Sequence, residues 1–283
     1  MGAWGITYVD NSKNRADTKY SVIVPYWNAE PWIGRCCESL TKQDGDFEFI
    51  LVNDSSTDNS EAIVNEYANR DARFVMINNE RRKGVSGARN TGILHTRTEW
   101  LTFLDADDEF LDNAHETFTK VIATDKTARF YQLNHLRYYT RIDKLTLKYA
   151  NDAGTYSIKN LPDIWWGVWN KLIRRDLLTD IRFDENLQYG EDGLFVLECM
   201  AAEKRLVHAE RNTVMIKHRF DNKDSLSHVK HATDLIKQCR GYEDLILRQP
   251  DPDVRQTTCD ILAELWTSQR FKELLGQDAK EIT

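Results

Sequence analysis

The sequence predicts an α/β layer fold with a mainly parallel sheet, flanking helices and a helical appendage at its C-terminal end. Three observations carry this. Between Tyr20 and Leu104, short uncharged runs alternate with helical stretches of about ten residues, the rhythm of parallel strands joined by crossover helices. Several of those runs stop abruptly in polar residues, as buried strands do at the edge of a sheet. From His228 onward the pattern is helical alone, broken near Pro250-Asp251-Pro252.

Tyr20–Pro25 (YSVIVP) is a β-branched, uncharged run ending at a proline, and reads as a buried strand. Pro31–Leu40 follows as a helix, with Trp32, Ile33, Cys36 and Leu40 spaced along one face. Phe47–Val52 is the second strand; it ends in a polar turn, Asn53 to Asp58, rich in residues that cap helices. Asp58–Ala68 is the next helix, Phe74–Ile77 the third strand, and Gly84–Leu94 a helix with a glycine-rich start. Trp100–Leu104 is a fourth strand, stopped by Asp105-Ala106-Asp107-Asp108. Beyond Thr124 the rhythm changes. Phe130–Tyr139 and Lys144–Tyr149 read as strands of a hairpin, Trp165–Leu178 is aromatic and basic, Glu191–Ala202 is helical, and Arg205–Lys217 is one or two strands. This divides the chain into an N-terminal extension (1–19), a main α/β domain (20–227) and a C-terminal helical region (228–283), which packs on the main domain or on another copy of the chain.

Ligands of parallel sheets sit beyond the carboxyl ends of the strands. Three predicted strand ends carry Asn28, Asp54 and Asp105–Asp108, so these residues are expected to face one crevice. Two Asp residues with one residue between them suit Mg²⁺ or Mn²⁺, which take oxygen ligands and keep waters or substrate phosphates in the remaining positions. A solvated turn capping the next helix would show the same letters. Asp54 either accepts hydrogen bonds from a bound base or ribose, or closes an Asx turn.

The segment Arg81–Gly92 (RRKGVSGARNTG) combines cations, glycines and a helix start, where phosphate oxygens could bind. It is neither G-x-G-x-x-G nor G-x-x-x-x-G-K-[ST], so the dinucleotide fingerprint and the NTPase loop are absent, and it reads equally as a surface loop. Neither G-x-S-x-G nor H-E-x-x-H occurs. Tyr189-Gly190-Glu191-Asp192 puts two carboxylates at a helix start, where anions are stabilised; Asp192 is then a candidate general base, and capping is the plainer reading. His218 is a metal ligand, a phosphate contact or a surface histidine. Trp165, Trp166 and Trp169 form a stacking platform for sugar rings or bases, or core under a loop.

Composition limits the rest. Apolar residues at 41% and charged residues at 29% describe a globular chain with a sizeable core. The net charge of −7 disfavours a protein that grips nucleic acid by its phosphates, although Arg81, Arg82 and Lys83 leave room for a local contact. Apolar runs of five or six residues fall far short of the ~20 needed for a membrane span. Five cysteines, with no C-x-x-C pair, argue for a reducing compartment and against a structural zinc site.

Taken in order, YSVIVPYWNAEPWIGRCCESL, FEFILVNDSSTDNS, KGVSGARNTGI, WLTFLDADDEF, WGVWNKLIRRDLL and YGEDGLFVLECM resemble the family-2 inverting nucleotide-sugar glycosyltransferases of the GT-A fold, a Rossmann-like layer structure. The resemblance runs from Tyr20 to about Met200. It implies a nucleotide-diphosphate sugar donor, most often UDP-linked, and transfer to a hydroxyl of a carbohydrate or glycoconjugate acceptor. It implies that Pro25, Tyr26 and Asn28 line the nucleotide site, Asp54 contacts the base, Arg89 lies near the phosphates, and Asp105 approaches the ribose or the metal region. It further implies Asp107 on Mn²⁺ or Mg²⁺ with help from His218, and Asp192 as the catalytic base. Glu191 and the three tryptophans are the candidate acceptor contacts. Trp27, between the aromatic and Asn28, departs from many members, and the region after His228 carries no family signature. The expected setting is cytoplasmic, acting on a growing bacterial surface glycan, with peripheral contact at the inner face of the membrane and homo-oligomers formed through the C-terminal helices. A nucleotide-sugar-binding protein without catalysis and a sugar-phosphate nucleotidyltransferase are the rival readings.

Overall fold

The computed structural model describes residues 18–139, 142–148, 153–157, 166–187, 189–208, 214–220 and 232–267. Residues 1–17 and Trp165 lie outside the described residues.

Four parallel strands form the centre. β1 (Tyr20–Tyr26) and β2 (Phe47–Asn53) are buried along their whole length, as expected of strands covered on both faces. β3 (Phe74–Asn78) pairs with β2, and β4 (Trp100–Phe103) pairs with β1 on its other side. The helices between them are α1 (Ile33–Thr41), α2 (Ser60–Arg70) and α3 (Val85–His95), each within two residues of its expected start. The chain steps outward from β1 to β2 to β3, then returns to place β4 beside β1. That reversal opens a crevice at the carboxyl ends of β1 and β4. Register brings Tyr26 level with Asn53, and Asn53 level with Asn78, so the polar strand ends share one edge.

The α3 helix lies close against β1 because Gly92 has no side chain. A Cβ there would fall inside contact distance of Ile23 Cγ2, a fully buried β-branched side chain that cannot move aside. Gly92→Ala is therefore expected to destabilise the protein by about 1–3 kcal/mol through overpacking, read as a lower midpoint in urea unfolding with an unchanged slope.

Beyond β4 the sheet becomes mixed. β5 (Glu109–Phe110) and α4 (Ala114–Thr124) follow the acidic turn. The run expected as one strand, Phe130–Tyr139, is two: β6 (Phe130–Gln132) in the main sheet and β7 (Asn134–Tyr139) in a second sheet. Asn170 makes the break. Its backbone carbonyl accepts from Leu133 N at 2.8 Å, and its Nδ2 donates to Leu133 O at 3.0 Å. β7 pairs with β8 (Lys144–Lys148) in the expected hairpin. β9 (Gly154–Ser157) lies at the far edge of the main sheet. β10 (Lys171–Arg174), hidden in the aromatic-basic stretch, inserts antiparallel between β4 and β6. α5 (Glu191–Glu203) leads to β11 (Arg205–His208), parallel to β6, and β12 (Val214–Phe220), paired with β5 and β7.

The tail forms the helical pair α6 (Ala232–Arg248) and α7 (Pro252–Thr267). It packs on the main domain, since Tyr242, Leu245 and Val254 share a core with Leu194, Phe195 and Phe103. All five cysteines are free thiols, and only Cys259 is exposed. No helix among the described residues is long and apolar enough to cross a membrane.

Candidate active site

The crevice beside β1 is shaped by Asp54. Its backbone N–H continues the ladder to Tyr26 O (2.9 Å), and its carboxylate reaches into the next crossover. Oδ1 accepts from Asn79 Nδ2 at 2.6 Å and Oδ2 from the Gly84 N–H at 2.8 Å. Asp54 thus fastens the glycine-rich loop at the start of α3, where Gly84 has φ of +132° and open space around it. Each oxygen keeps a further lone pair for a ligand. Asn28, with φ of +46°, accepts the Thr57 N–H at 2.8 Å and so ties the ends of β1 and β2 together. Pro25 and Tyr26 are both buried in β1, and Tyr26 belongs to the core shared with Ile33, Cys36 and Cys37 of α1. The aromatic at the mouth is Trp27, 48% exposed, with Lys83 Nζ 5.5 Å from its ring centroid; its exposure at the strand end, not its letter, sets it apart.

Arg89 joins the two halves of the chain. It stands on α3 with its side chain 4% exposed. Nη1 donates to Asp192 Oδ1 at 2.6 Å and to Glu191 Oε1 at 3.0 Å, while Nη2 donates to Asp105 Oδ1 at 3.1 Å. Residues expected at separate strand and helix ends therefore meet at one guanidinium. Arg89 is held by three carboxylates. Burial alone would lower the Arg89 pKa, and the carboxylates of Asp192, Asp105 and Glu191 outweigh it and push it up. Asp192 is the counterpart. Burial pushes its carboxyl up to about 7, with Arg89 pulling it down and Glu191 and Asp105 pushing it further up. Its second oxygen, Oδ2, accepts the Val168 N–H at 3.4 Å.

The acidic segment closes as a tight turn, with Asp108 N donating to Asp105 O at 2.9 Å. Asp107 is half-buried on it. Asp108 is fully buried and accepts from His218 Nδ1 at 2.9 Å. Burial raises the Asp108 carboxyl to about 7 against the pull of His218. Burial opposes charge on His218, and Asp108 outweighs it, so the imidazole's pKa is raised. Asp108 was expected at the crevice only as a member of the run D-A-D-D, with no separate role. His218 stacks on Trp169, with centroids 4.3 Å apart and planes 9° from parallel. Trp169 is 8% exposed; with one face taken by His218 it is core, not an open platform for an acceptor. Trp166 is 36% exposed.

Among the described residues, no three or more His, Cys, Asp and Glu side chains surround a point that could hold a metal. A divalent ion shared with a diphosphate needs less, since Mg²⁺ commonly takes one or two carboxylates and completes its shell with waters and phosphate oxygens. Asp107 and the Nε2 side of His218, whose Nδ1 is oriented by a buried carboxylate, are donors of that type.

The chain is similar to known proteins in both sequence and fold. It is 30% identical over 231 residues to the glycosyltransferase EpsJ of Bacillus subtilis (strain 168), a stretch covering 75% of this chain and 63% of EpsJ. It is 28% identical over 229 residues to the glycosyltransferase GlyA of Streptococcus pneumoniae serotype 4, covering 75% of this chain and 32% of GlyA. The chain thus spans less than two thirds of the length of either relative. Its fold matches S. aureus TarS 1–349 in complex with UDP-GlcNAc at a TM-score of 0.72 and 23% identity, over 88% of this chain and 71% of that one. Residues 21–184, more than half of the chain, match the family Glycosyl transferase family 2, and the protein belongs to that family.

Proposed function

We propose that this protein is an inverting glycosyltransferase that moves a sugar from a nucleotide-diphosphate donor, UDP-linked, to a hydroxyl of a bacterial surface glycan or related glycoconjugate. The observation that carries the reading is the Arg89 clasp, which brings the strand-end acid Asp105 and the helix-start acid Asp192 to one point beside the crevice. Support for the donor comes from the TarS complex with UDP-GlcNAc, and for the ion from the mannosyltransferase PcManGT of Pyrobaculum calidifontis, solved with GDP-Man and Mn²⁺ and similar in fold at a TM-score of 0.57 and 15% identity, over 93% of this chain and 79% of that one.

In this mechanism Asp54, Asn28 and the Gly84 loop bound the nucleotide end. Asp192 takes the proton from the acceptor hydroxyl as that oxygen attacks the anomeric carbon from the face opposite the diphosphate. Arg89 keeps Asp192 aimed and partly ionised before attack. Mn²⁺ or Mg²⁺, held by Asp107 with His218, would supply charge stabilisation to the departing diphosphate.

A screen of nucleotide sugars for divalent-dependent binding and slow hydrolysis tests the reading. Release of UDP supports it. Release of pyrophosphate from an NTP and a sugar phosphate, or indifference to every nucleotide sugar, overturns it. Asp107→Ala is expected to weaken donor binding in Mn²⁺ by on the order of tenfold and to leave the weaker binding in EDTA unchanged, as measured by calorimetric titration.

A further inference from the structure

Lys171 opens β10, in the middle of the sheet, and is fully buried together with its neighbour Asn170. A buried lysine needs strong partners. Its Nζ donates to Gly167 O at 2.9 Å and to Asn170 Oδ1 at 2.6 Å. Both acceptors belong to one 3-10 turn, Val168–Asn170, with the residue before it. The carbonyl of Gly167 and the N–H of Val168 are the two ends of one peptide group. Lys171 grips the carbonyl end, and the N–H end donates to Asp192 Oδ2 at 3.4 Å. The middle residue of the same turn, Trp169, carries His218 on its ring. Gly167 is required for this tight path, since a Cβ there would collide with the Trp169 indole.

We propose that Lys171 is a positioning residue of the site: its ammonium locks and polarises the Gly167–Val168 peptide so that the Val168 N–H holds Asp192 Oδ2, while the same turn seats Trp169 beneath His218. The inference rests on the reading of Asp192 as the base. The two oxygens of Asp192 are then fixed from opposite sides, Oδ1 by Arg89 and Oδ2 by the turn. A 3.4 Å contact is long for an N–H donor, and such contacts tighten when substrate fills the site. Among the described residues, Asp192 and Cys199, both on α5, bear on the charge of Lys171. Burial lowers the ammonium's pKa to about 7, and Asp192 works to hold it charged, while the Val168 N–H that the lysine's turn presents lowers the Asp192 carboxyl.

The test is a titration that needs no substrate. The full chain, labelled at the aspartate carboxyl carbon, is titrated by NMR, with Asp192→Asn identifying the resonance. Lys171→Met keeps the length of the side chain and removes charge and donors; the midpoint of Asp192 is expected to rise by about half a unit to one unit, since the Val168 N–H that lowers it is no longer held in place. Lys171→Gln, which keeps an N–H donor, is expected to fall between Lys171→Met and the wild type, and it carries the test if Lys171→Met does not fold. With the donor found by the screen, either variant should lower kcat several-fold and leave the donor KM within about twofold. An Asp192 midpoint within ~0.2 units of wild type in a folded variant overturns the proposal. A shifted midpoint in a protein that turns over no nucleotide sugar would keep the positioning role and defeat the glycosyltransferase reading instead.

Discussion

Asp192→Asn is expected to bind donor with near-normal affinity and to lose about 10²- to 10⁴-fold in kcat, the usual contribution of a positioned general base. Asparagine keeps the shape and an oxygen that can accept from Arg89 Nη1, so the clasp is weakened rather than emptied. What it removes is proton affinity. The pH profile gives an independent check. With its pKa raised to about 7, Asp192 is protonated at lower pH and cannot accept a proton. Turnover by the wild type should therefore climb about tenfold per pH unit below that midpoint and level off above it. The residual activity of Asp192→Asn should lack this limb. The same raised pKa makes an opposite demand on stability. The folded state holds a proton that the unfolded carboxyl has released between its ordinary value of 3.8 and about 7, so across that window this group's contribution to stability falls as pH rises. Activity is gained over the range where stability is given up. Full turnover by Asp192→Asn, or a flat profile in the wild type, would remove the base assignment.

How much of this was readable beforehand depends on the distance over which each feature is decided. The four central strands and their helices were legible because hydrophobic run length and polar stops are local. So was the shared edge of Asn28, Asp54 and Asp105, because a parallel sheet puts strand ends together without any knowledge of partners. The division at Leu133 was not legible: Phe130–Tyr139 is one continuous β-prone run, and it is Asn170, some forty residues on, that breaks it. β10 was hidden for the same reason, since Lys171 reads as a surface residue until its acceptors are known. Asp108 was given no role of its own because the D-x-D spacing points to its neighbours; only burial and His218 separate it from a solvated turn. The tryptophans divide according to packing, which no spacing reveals, and Trp169 proves to be a partner of His218. Arg89 was placed near phosphates by the resemblance alone, and no local pattern points to its carboxylate partners. The anions that occupy it here are the protein's own.

Arg89 is the residue whose loss should be felt most widely. Arg89→Met fills a similar volume and leaves Asp105, Glu191 and Asp192 without their shared cation in a site where the guanidinium was 4% exposed. Breaking a buried ion pair from one side typically costs about 3–5 kcal/mol, because the remaining charge is stranded. For a chain of this size that is a fall in melting temperature on the order of 10 °C. Asp192 has an escape, which is to take up a proton. Its folded pKa, already raised by burial and no longer pulled down by Arg89, would lie further above the unfolded one, so the folded variant binds more protons and its stability must drop as pH rises. The deficit against wild type should accordingly be small near pH 5 and grow toward pH 8. An ordinary packing defect would give the same deficit at both. Arg89→Lys should recover part of the stability and little of the activity, since a single ammonium cannot present the planar fork that reaches Asp105 on one side and Asp192 on the other. Melting curves at the two pH values, taken alongside turnover, separate these outcomes. A pH-independent deficit, or full activity in the lysine variant, would mean that Arg89 fills space and does not hold the site's acids in place.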